Sequence, residues 1–473
     1  MKRLTCKEIL QATGGKLVSG YPEQEILDIS TDSRTIKAGS LFIPIKGERF
    51  DGHDFIKNAL EKGAAGTLTN KDLCEVEYGK DEYKDRIMIK VDDTLKALRD
   101  IAAYYRKKFS IPFIGITGSV GKTSTKDMIA SVLSQEYNVL KTQGNYNNEI
   151  GVPLTIFNLD DHHQVGVIEM GMSNFGEISR LTSIVLPKVA VITNIGISHI
   201  EKLGSRQNIL KAKMEIFEGL SRDGLIVLNG DDNLLYGLKG FLNYRTVYYG
   251  MDEGLDYQAY NIQNAGEGGI YFDINVKNSE YKVHVPLPGV HNVYNALAAI
   301  AVGLEMGIEM ENIIKGINEF VPEKMRLNII KVGSIKVIND AYNANPQSME
   351  AALRVLKDIG NAQRRIAVLG DILELGDWAK KAHLEIGKLA FTLEIDYIIT
   401  VGNNAAYIAE GAILAGISPK RVRHFPDNRS AIEFLETFVK KGDAILIKGS
   451  RGMKMEEIAE QMIIRGETLE RTI

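Results

Sequence analysis

The stretch GITGSVGKTSTKD, from Gly115 to Asp127, gathers the residue types that hold phosphate. Glycines let backbone N–H groups turn toward anionic oxygens, and a helix N-terminus adds partial positive charge. In that setting Lys122 would reach the β- and γ-phosphates of a nucleotide, and the Thr123 hydroxyl would ligate Mg²⁺. Gly118, Ser119, Val120, Gly121 and Ser124 would complete the cradle. The spacing departs from the common phosphate-loop pattern, because Ile116 stands where its first glycine belongs. A glycine-rich strand-to-helix turn without a ligand is the competing reading. The order of apolar strand (PFIGIT), glycines and amphipathic helix (KTSTKDMIASVL) favours the nucleotide.

Three further residues carry chemistry. Glu169, in VIEMGMSNFGEI, ends an apolar run that reads as a buried strand. Ligands of doubly wound sheets bind beyond such strand ends, and a carboxylate there completes a magnesium shell; capping a following helix is an equally good use of it. His199, in TNIGISHIEKLG, stands just past the next strand. A lone histidine is more often structural, but this one shares the sheet edge with Glu169 and the loop. Lys213, in KAKMEIF, is flanked by Met214, Ile216 and Phe217. By its residues alone it has no priority over Lys211.

These residues need a scaffold, and the chain supplies one. From Ile111, short β-branched runs (IPFIGIT, VGVIEMG, VAVITNIG, GLIVLNGDD) alternate with helical stretches, as in a parallel sheet covered on both faces. GGIYFDINVKNSEYKVHVPLPG reads as an antiparallel hairpin turning near KNSE, and NVYNALAAIAVGLEMGI as a helix. After FVPEKMRL, the runs IKVINDAY, RRIAVLGD, DYIITVG and DAILIKGS predict a second doubly wound domain. The first part holds a strand over SLFIPIKG, a helix over GHDFIKNALEKGAAG and an amphipathic helix over VDDTLKALRDIAAYYRKKF. The expected domains are 1–108, 109–322 and 323–473.

Composition excludes several classes. With 57 basic and 61 acidic residues among 473, and no basic block, nucleic acid is not an expected partner. Cys6 and Cys74 lack metal-like spacing and read as reduced thiols. The start MKRLTCKEILQATGG has no apolar core of a signal peptide, and no run approaches a membrane span. A cytoplasmic protein without membrane contact is expected.

TGSVGKTS resembles the phosphate loop of the Mur ligase family, whose glycines are spaced in this way. EMG…GEI, TNIG..H with KAKMEIF, PGVHNVYNALAA, MRL and NDAYNANPQSM follow in the family's order, across essentially the whole chain. The resemblance implies an α/β protein of three domains: a small N-terminal domain for a nucleotide-linked substrate, a central P-loop ATPase-like parallel sheet, and a C-terminal Rossmann-like domain. It implies ATP and two Mg²⁺ ions, with Glu169 and His199 on metal and Lys213 at the lysine that these ligases carbamylate. Asn292 and Asn295 would face adenine; Arg326, Asp340, Tyr342 and Asn343 would contact ATP near the domain junction, Asp340 at the ribose.

STDSRTIKAGSLFIPIKGERFDGHDF looks like the family's uridine-nucleotide domain and singles out Ser33, Arg34, Lys46 and Gly47 for substrate. GNYNNEIGVPLT, with Asn145, Asn147 and Asn148, joins DAYNANPQSM and GDILELG in resembling the member that adds D-alanyl-D-alanine to UDP-N-acetylmuramoyl-tripeptide. Ile372 replaces a common methionine at nearly equal volume. Gln347 follows the proline where the preceding ligase carries an Asn-Pro-Arg motif. The implied partners are that tripeptide and the dipeptide, taken by a monomer. The alternatives are a third-residue-adding Mur ligase and an amide ligase like folylpolyglutamate synthetase; a GTPase-like switch would need an Asn-Lys-x-Asp motif, which this chain lacks.

Overall fold

The computed structural model describes residues 1–47, 49–71 and 84–471, and the chain divides into two compact units. The first comprises Met1–Thr117, Glu136–Ala190 and Met214–Leu225; the second comprises Gly118–Gln135, Val191–Lys213 and Ile226–Ile473.

In the first unit, five strands pair in the order Lys16–Ser19, Ile87–Lys90, Gly66–Thr69, Ser40–Phe42, Asp28–Ser30. All of these pairings are parallel except that of Lys16–Ser19. The strand expected over residues 40–47 stops at Phe42, because Pro44 has no N–H to extend a ladder. The helix expected after it is a 3₁₀ turn, Gly52–Phe55, capped by Asp51 and followed by Ile56–Glu61. Three parallel strands, Val139–Lys141, Val165–Glu169 and Phe113–Thr117, place Val165–Glu169 between the other two.

The helix Thr94–Arg106 packs on Gly151–Phe157 and Glu177–Val185. Its last residue, Arg106, is buried and donates to the carbonyls of Val185 (3.0 Å), Phe109 (2.7 Å) and Ile111 (3.1 Å), with its guanidinium 3.9 Å from the centre of the Phe113 ring. Burial lowers its pKa to about 10, so it stays charged at neutral pH. Carbonyl dipoles and a ring face do the work of a counter-ion there. Cys6 is a buried free thiol, and Cys74 lies outside the described residues.

The second unit carries a six-stranded sheet in the order Asn328–Val332, Ile335–Asp340, Asp443–Lys448, Arg364–Gly370, Tyr397–Val401, Val422–Phe425. Only Asn328–Val332 is antiparallel to its neighbour. Alternate strand residues feed two cores, the signature of a sheet covered on both faces. Ala367 and Leu369 join Met349, Leu353, Ile386 and Ile408 from helices on one side. Ile366 and Val368 join Leu435, Ile458 and Met462 on the other.

The helices Lys122–Leu133, His291–Glu305 and Met310–Asn318 pack together in the same unit. Gly316 permits this, since a Cβ there would lie 2.6 Å from Val132 Cα. The expected hairpin is present as Ile270–Val276 and Ser279–Val285, turning through Lys277 and Asn278, which both have positive φ. Strands Arg245–Gly250 and Tyr257–Asn264 were not expected from the sequence. Among the described residues, no helix is long and apolar enough to cross a membrane.

The two-residue turn with both φ values positive is the form that suits a twisted hairpin. Asn tolerates it and a β-branched residue does not, so Asn278→Val should cost about 1–2 kcal/mol. Asn278→Gly should cost little. Equal denaturation midpoints for both variants would refute this reading of the turn.

Candidate active site

The phosphate-loop residues are held by a clasp from the segment Thr193–Gly196. Thr193 Oγ1 and Asn194 Nδ2 both donate to the Val120 carbonyl, at 2.6 and 3.0 Å. Val120 N–H donates to Asn194 Oδ1 at 3.0 Å, Ser119 N–H to the Asn194 carbonyl at 3.1 Å, and Gly196 N–H to Ser119 Oγ at 2.8 Å. The approach is so close that a Cβ on Gly118 would lie 1.8 Å from Thr193 Oγ1. Gly118 has φ +152° and Gly121 φ +82°, conformations that favour glycine. Gly121 opens the helix Lys122–Leu133, and Lys122 Nζ folds back to donate to the Gly118 carbonyl at 2.8 Å. A phosphate oxygen in the cradle would compete for that ammonium group. Ser124 is on the first turn of the same helix.

Thr123 Oγ1 accepts a hydrogen bond from Arg326 Nη2 at 2.9 Å. The guanidinium of Arg326 lies over the Tyr342 ring, 4.1 Å from its centre. Met325 and Leu327, on either side, have φ of +61° and +49°, so left-handed backbone brackets the arginine. Arg326 Nε is buried without a hydrogen-bond acceptor, a donor left open to an anionic oxygen. Asp340 accepts from Leu327 N–H at 3.1 Å and from the buried Lys448 ammonium at 2.5 Å. Lys448 also donates to the Asn343 carbonyl at 3.0 Å, and Asn343 Oδ1 accepts Arg451 N–H at 3.3 Å. Asn292 and Asn295 are buried in a polar chain beneath the loop helix. Thr125 Oγ1 donates to Asn295, Asn295 to Asn292 (2.9 Å) and Asn292 to the Pro288 carbonyl (2.8 Å).

His199 is itself left-handed, at φ +61°. Its Nδ1 is 2.7 Å from Glu374 Oε2, so the carboxylate is its partner. Burial lowers the imidazole pKa, Glu374 opposes that, and Lys122 and Lys213 lower it again. A neutral imidazole keeps one ring nitrogen as a donor and the other as an acceptor. Lys213 is 2% exposed and has no ion-pair partner among the described residues, whereas Lys211 is exposed. Burial, reinforced by repulsion from Lys122, drives the Lys213 pKa well below that of an ordinary lysine.

The remaining expected residues belong to the first unit. Glu169 is 2% exposed at the end of its strand and accepts from Asn147 Nδ2 at 2.7 Å. Asn148 Oδ1 accepts from Ile150 and Gly151 N–H (3.1 and 2.8 Å), holding the turn that presents Asn147, while Asn145 is exposed. Ser33 is buried and its carbonyl accepts from Lys62 Nζ at 3.0 Å. Arg34 is exposed and pairs with Asp32 at 2.7 Å, which lowers the Asp32 pKa to about 2. Lys46 and Asp51 form an isolated antiparallel backbone β-bridge, and Gly47 N–H donates to the Phe50 carbonyl at 2.9 Å, forming a tight turn.

Sequence reasoning missed four participants. Thr193 and Asn194 stood inside a quoted motif but had no assigned role. Glu374 stood inside GDILELG, and Lys448 at the end of the apolar run DAILIK, where a lone charge after a buried strand was the available signal. His383 is fully buried, accepting Ile372 N–H at 3.0 Å, and it braces the turn that carries Glu374.

Residues 116–303 match the family described as Mur ligase middle domain, 325–451 the Mur ligase glutamate ligase domain, and 25–106 the Mur ligase family catalytic domain. The chain is 41% identical over 465 residues to UDP-N-acetylmuramoyl-tripeptide–D-alanyl-D-alanine ligase of Bacillus subtilis, covering 98% of this chain and 99% of that one. It is similar to the crystal structure of MurF from Acinetobacter baumannii, with TM-score 0.89, 32% identity, and coverage of 98% and 99%. It is also similar to MurF ligase from Thermotoga maritima in complex with ADP, with TM-score 0.81, 28% identity, and coverage of 93% and 98%.

The clasp makes a sharp expectation for Gly118. Overpacking costs about 1–3 kcal/mol, so Gly118→Ala should weaken binding of a fluorescent nucleotide about tenfold or more. Adding Thr193→Ala removes the clashing oxygen and should recover part of the loss. A single variant that binds normally would refute the packing argument.

Proposed function

The chain belongs to the Mur ligase family, and on that premise we propose that it is an ATP-dependent ligase joining D-alanyl-D-alanine to UDP-N-acetylmuramoyl-tripeptide in the cytoplasm, as a monomer. The observation that carries this reading is the convergence in one unit of Lys122, Thr123, Arg326, His199 and the unpaired buried Lys213.

The reaction is amide formation in two steps. The terminal carboxylate of the tripeptide attacks the γ-phosphorus of ATP, giving an acyl phosphate and ADP. The dipeptide amine then attacks the acyl carbon; phosphate leaves and the amine loses a proton. Two anions must meet in the first step, so Lys122 neutralises charge on the phosphoryl group. Arg326 would supply a second cation from beside Thr123. Asp340, fixed by Lys448 and Leu327 N–H, would contact the ribose. Asn292 and Asn295 serve adenine binding at the base of the loop helix. Acyl phosphates hydrolyse readily, and ordering of the C-terminal third around ATP excludes water.

Magnesium suits the donors present. In the second unit Thr123 would offer oxygen and His199 a neutral imidazole nitrogen, and in the first unit Glu169 would offer a carboxylate. When bound, the cation neutralises phosphate charge. Lys213 gains a role if its neutral amine takes up CO₂, giving a carbamate anion and a proton; an anion there would face Lys122 and His199. In the first unit, Ser33, Arg34, Lys46 and Gly47 would hold the uridine nucleotide, and Asn145, Asn147 and Asn148 would serve the peptide end of that substrate.

The direct test is phosphate release from ATP by the purified protein. Release should require both the UDP-linked tripeptide and D-alanyl-D-alanine. Release with the tripeptide and an amino acid other than the dipeptide would favour a different ligase of the family.

Two substitutions test the assignments. Arg34→Ala should raise KM for the UDP substrate and leave KM for ATP nearly unchanged; an equal rise in both would remove Arg34 from the uridine site. Lys213→Ala should lower kcat by roughly a hundredfold or more, as loss of site electrostatics does, and a short carboxylic acid in the buffer should restore part of it. Lys211→Ala should stay active. A normally active Lys213→Arg would rule the carbamate out.

A further inference from the structure

Away from the residues used above, one cluster in the first unit combines metal-ligand types at ligand spacing. We propose that Asp160, His162 and His163 form a second metal site, for a divalent transition cation of the zinc class. They sit in the loop between the helix Gly151–Phe157 and the strand Val165–Glu169. Asp160 Oδ1 is 2.6 Å from His162 Nδ1 and 2.8 Å from His163 Nδ1, and the three ligand atoms all lie within 4.8 Å of one another. The two imidazoles stack with centroids 4.3 Å apart at 27°, so they turn the same edge toward one carboxylate oxygen.

Zinc bonds of about 2.0–2.2 Å in a tetrahedron hold ligand atoms roughly 3.3–3.5 Å apart. Each imidazole nitrogen therefore needs to draw back from the Asp160 oxygen by less than an ångström. His163 Nδ1 accepts Asp160 N–H at 3.3 Å, a contact that the ring would exchange for the ion. Exposure divides the roles: His163 at 13% is the anchor, and His162 at 67% is the open side through which an ion enters. Two nitrogens and one oxygen select zinc, nickel or copper over magnesium, which prefers oxygen. The site is therefore chemically distinct from the magnesium set of the ligase reaction.

The loop is also tied to the start of the chain. Asp161 pairs with Lys2 at 2.5 Å, Lys2 N–H donates to the Tyr105 hydroxyl at 2.6 Å, and that hydroxyl donates to the Leu159 carbonyl at 2.6 Å. An ion on Asp160, His162 and His163 would stiffen this seam and raise stability by mass action. The cluster is at the amino end of the strand whose carboxyl end is Glu169, so turnover with Mg²⁺ alone should not depend on it.

The test uses the full chain without a polyhistidine tag, stripped of metal and held in millimolar Mg²⁺. Zinc chloride is titrated by calorimetry, and thermal unfolding is recorded with and without zinc. Wild type should bind one zinc ion that His162→Ala and His163→Ala each weaken by about tenfold or more, since even an outer-shell partner is worth that much. The zinc-induced rise in Tm should vanish in the double variant, while its ligase turnover in Mg²⁺ stays normal. Zinc binding that is equal in wild type and double variant, or no binding by wild type at micromolar protein, would overturn the proposal.

Discussion

Everything in the nucleotide site depends on the clasp between the phosphate loop and Thr193–Gly196. Five hydrogen bonds around Ser119 and Val120 fix the loop, and the fit leaves no space for a side chain at Gly118. The departure of this loop from the common spacing thus has a physical cause. The backbone is shaped by side chains of a second strand end, and glycine is placed where those side chains come closest. The same segment continues to His199, so the geometry that sets the loop also places that imidazole.

A second constraint is electrostatic. Lys122, Lys213 and His199 share one neighbourhood, with the Glu374 carboxylate beside His199. Burial and mutual repulsion hold Lys213 and His199 toward their neutral forms there. Anionic phosphates arriving at such a neighbourhood would relieve the repulsion. Stability is thereby traded for a site that is complete only with its ligands, a recurrent feature of active sites.

Much of this was legible in the sequence, because strand, glycine loop and helix are local patterns. The buried β-branched runs, the hairpin and the helix His291–Glu305 all follow from periodicity. What escaped is non-local. Lys213 and Lys211 are two positions apart on one helix, and only tertiary burial separates them. The pairing of Asp340 with Lys448 joins residues 108 positions apart. Thr193 and Asn194 are ordinary polar residues until the loop is folded against them. Pro44 was the overlooked local signal, since it ends a strand that hydrophobicity alone would extend.

The central claim is that a carboxylate of the UDP-linked tripeptide attacks ATP. Isotope transfer tests it most directly. Tripeptide labelled with ¹⁸O in its terminal carboxylate is turned over with ATP and D-alanyl-D-alanine, and the released phosphate is analysed by mass. One labelled oxygen per phosphate formed is the predicted result. Unlabelled phosphate, with amide still formed, would contradict the acyl phosphate route and the roles assigned to Lys122 and Arg326.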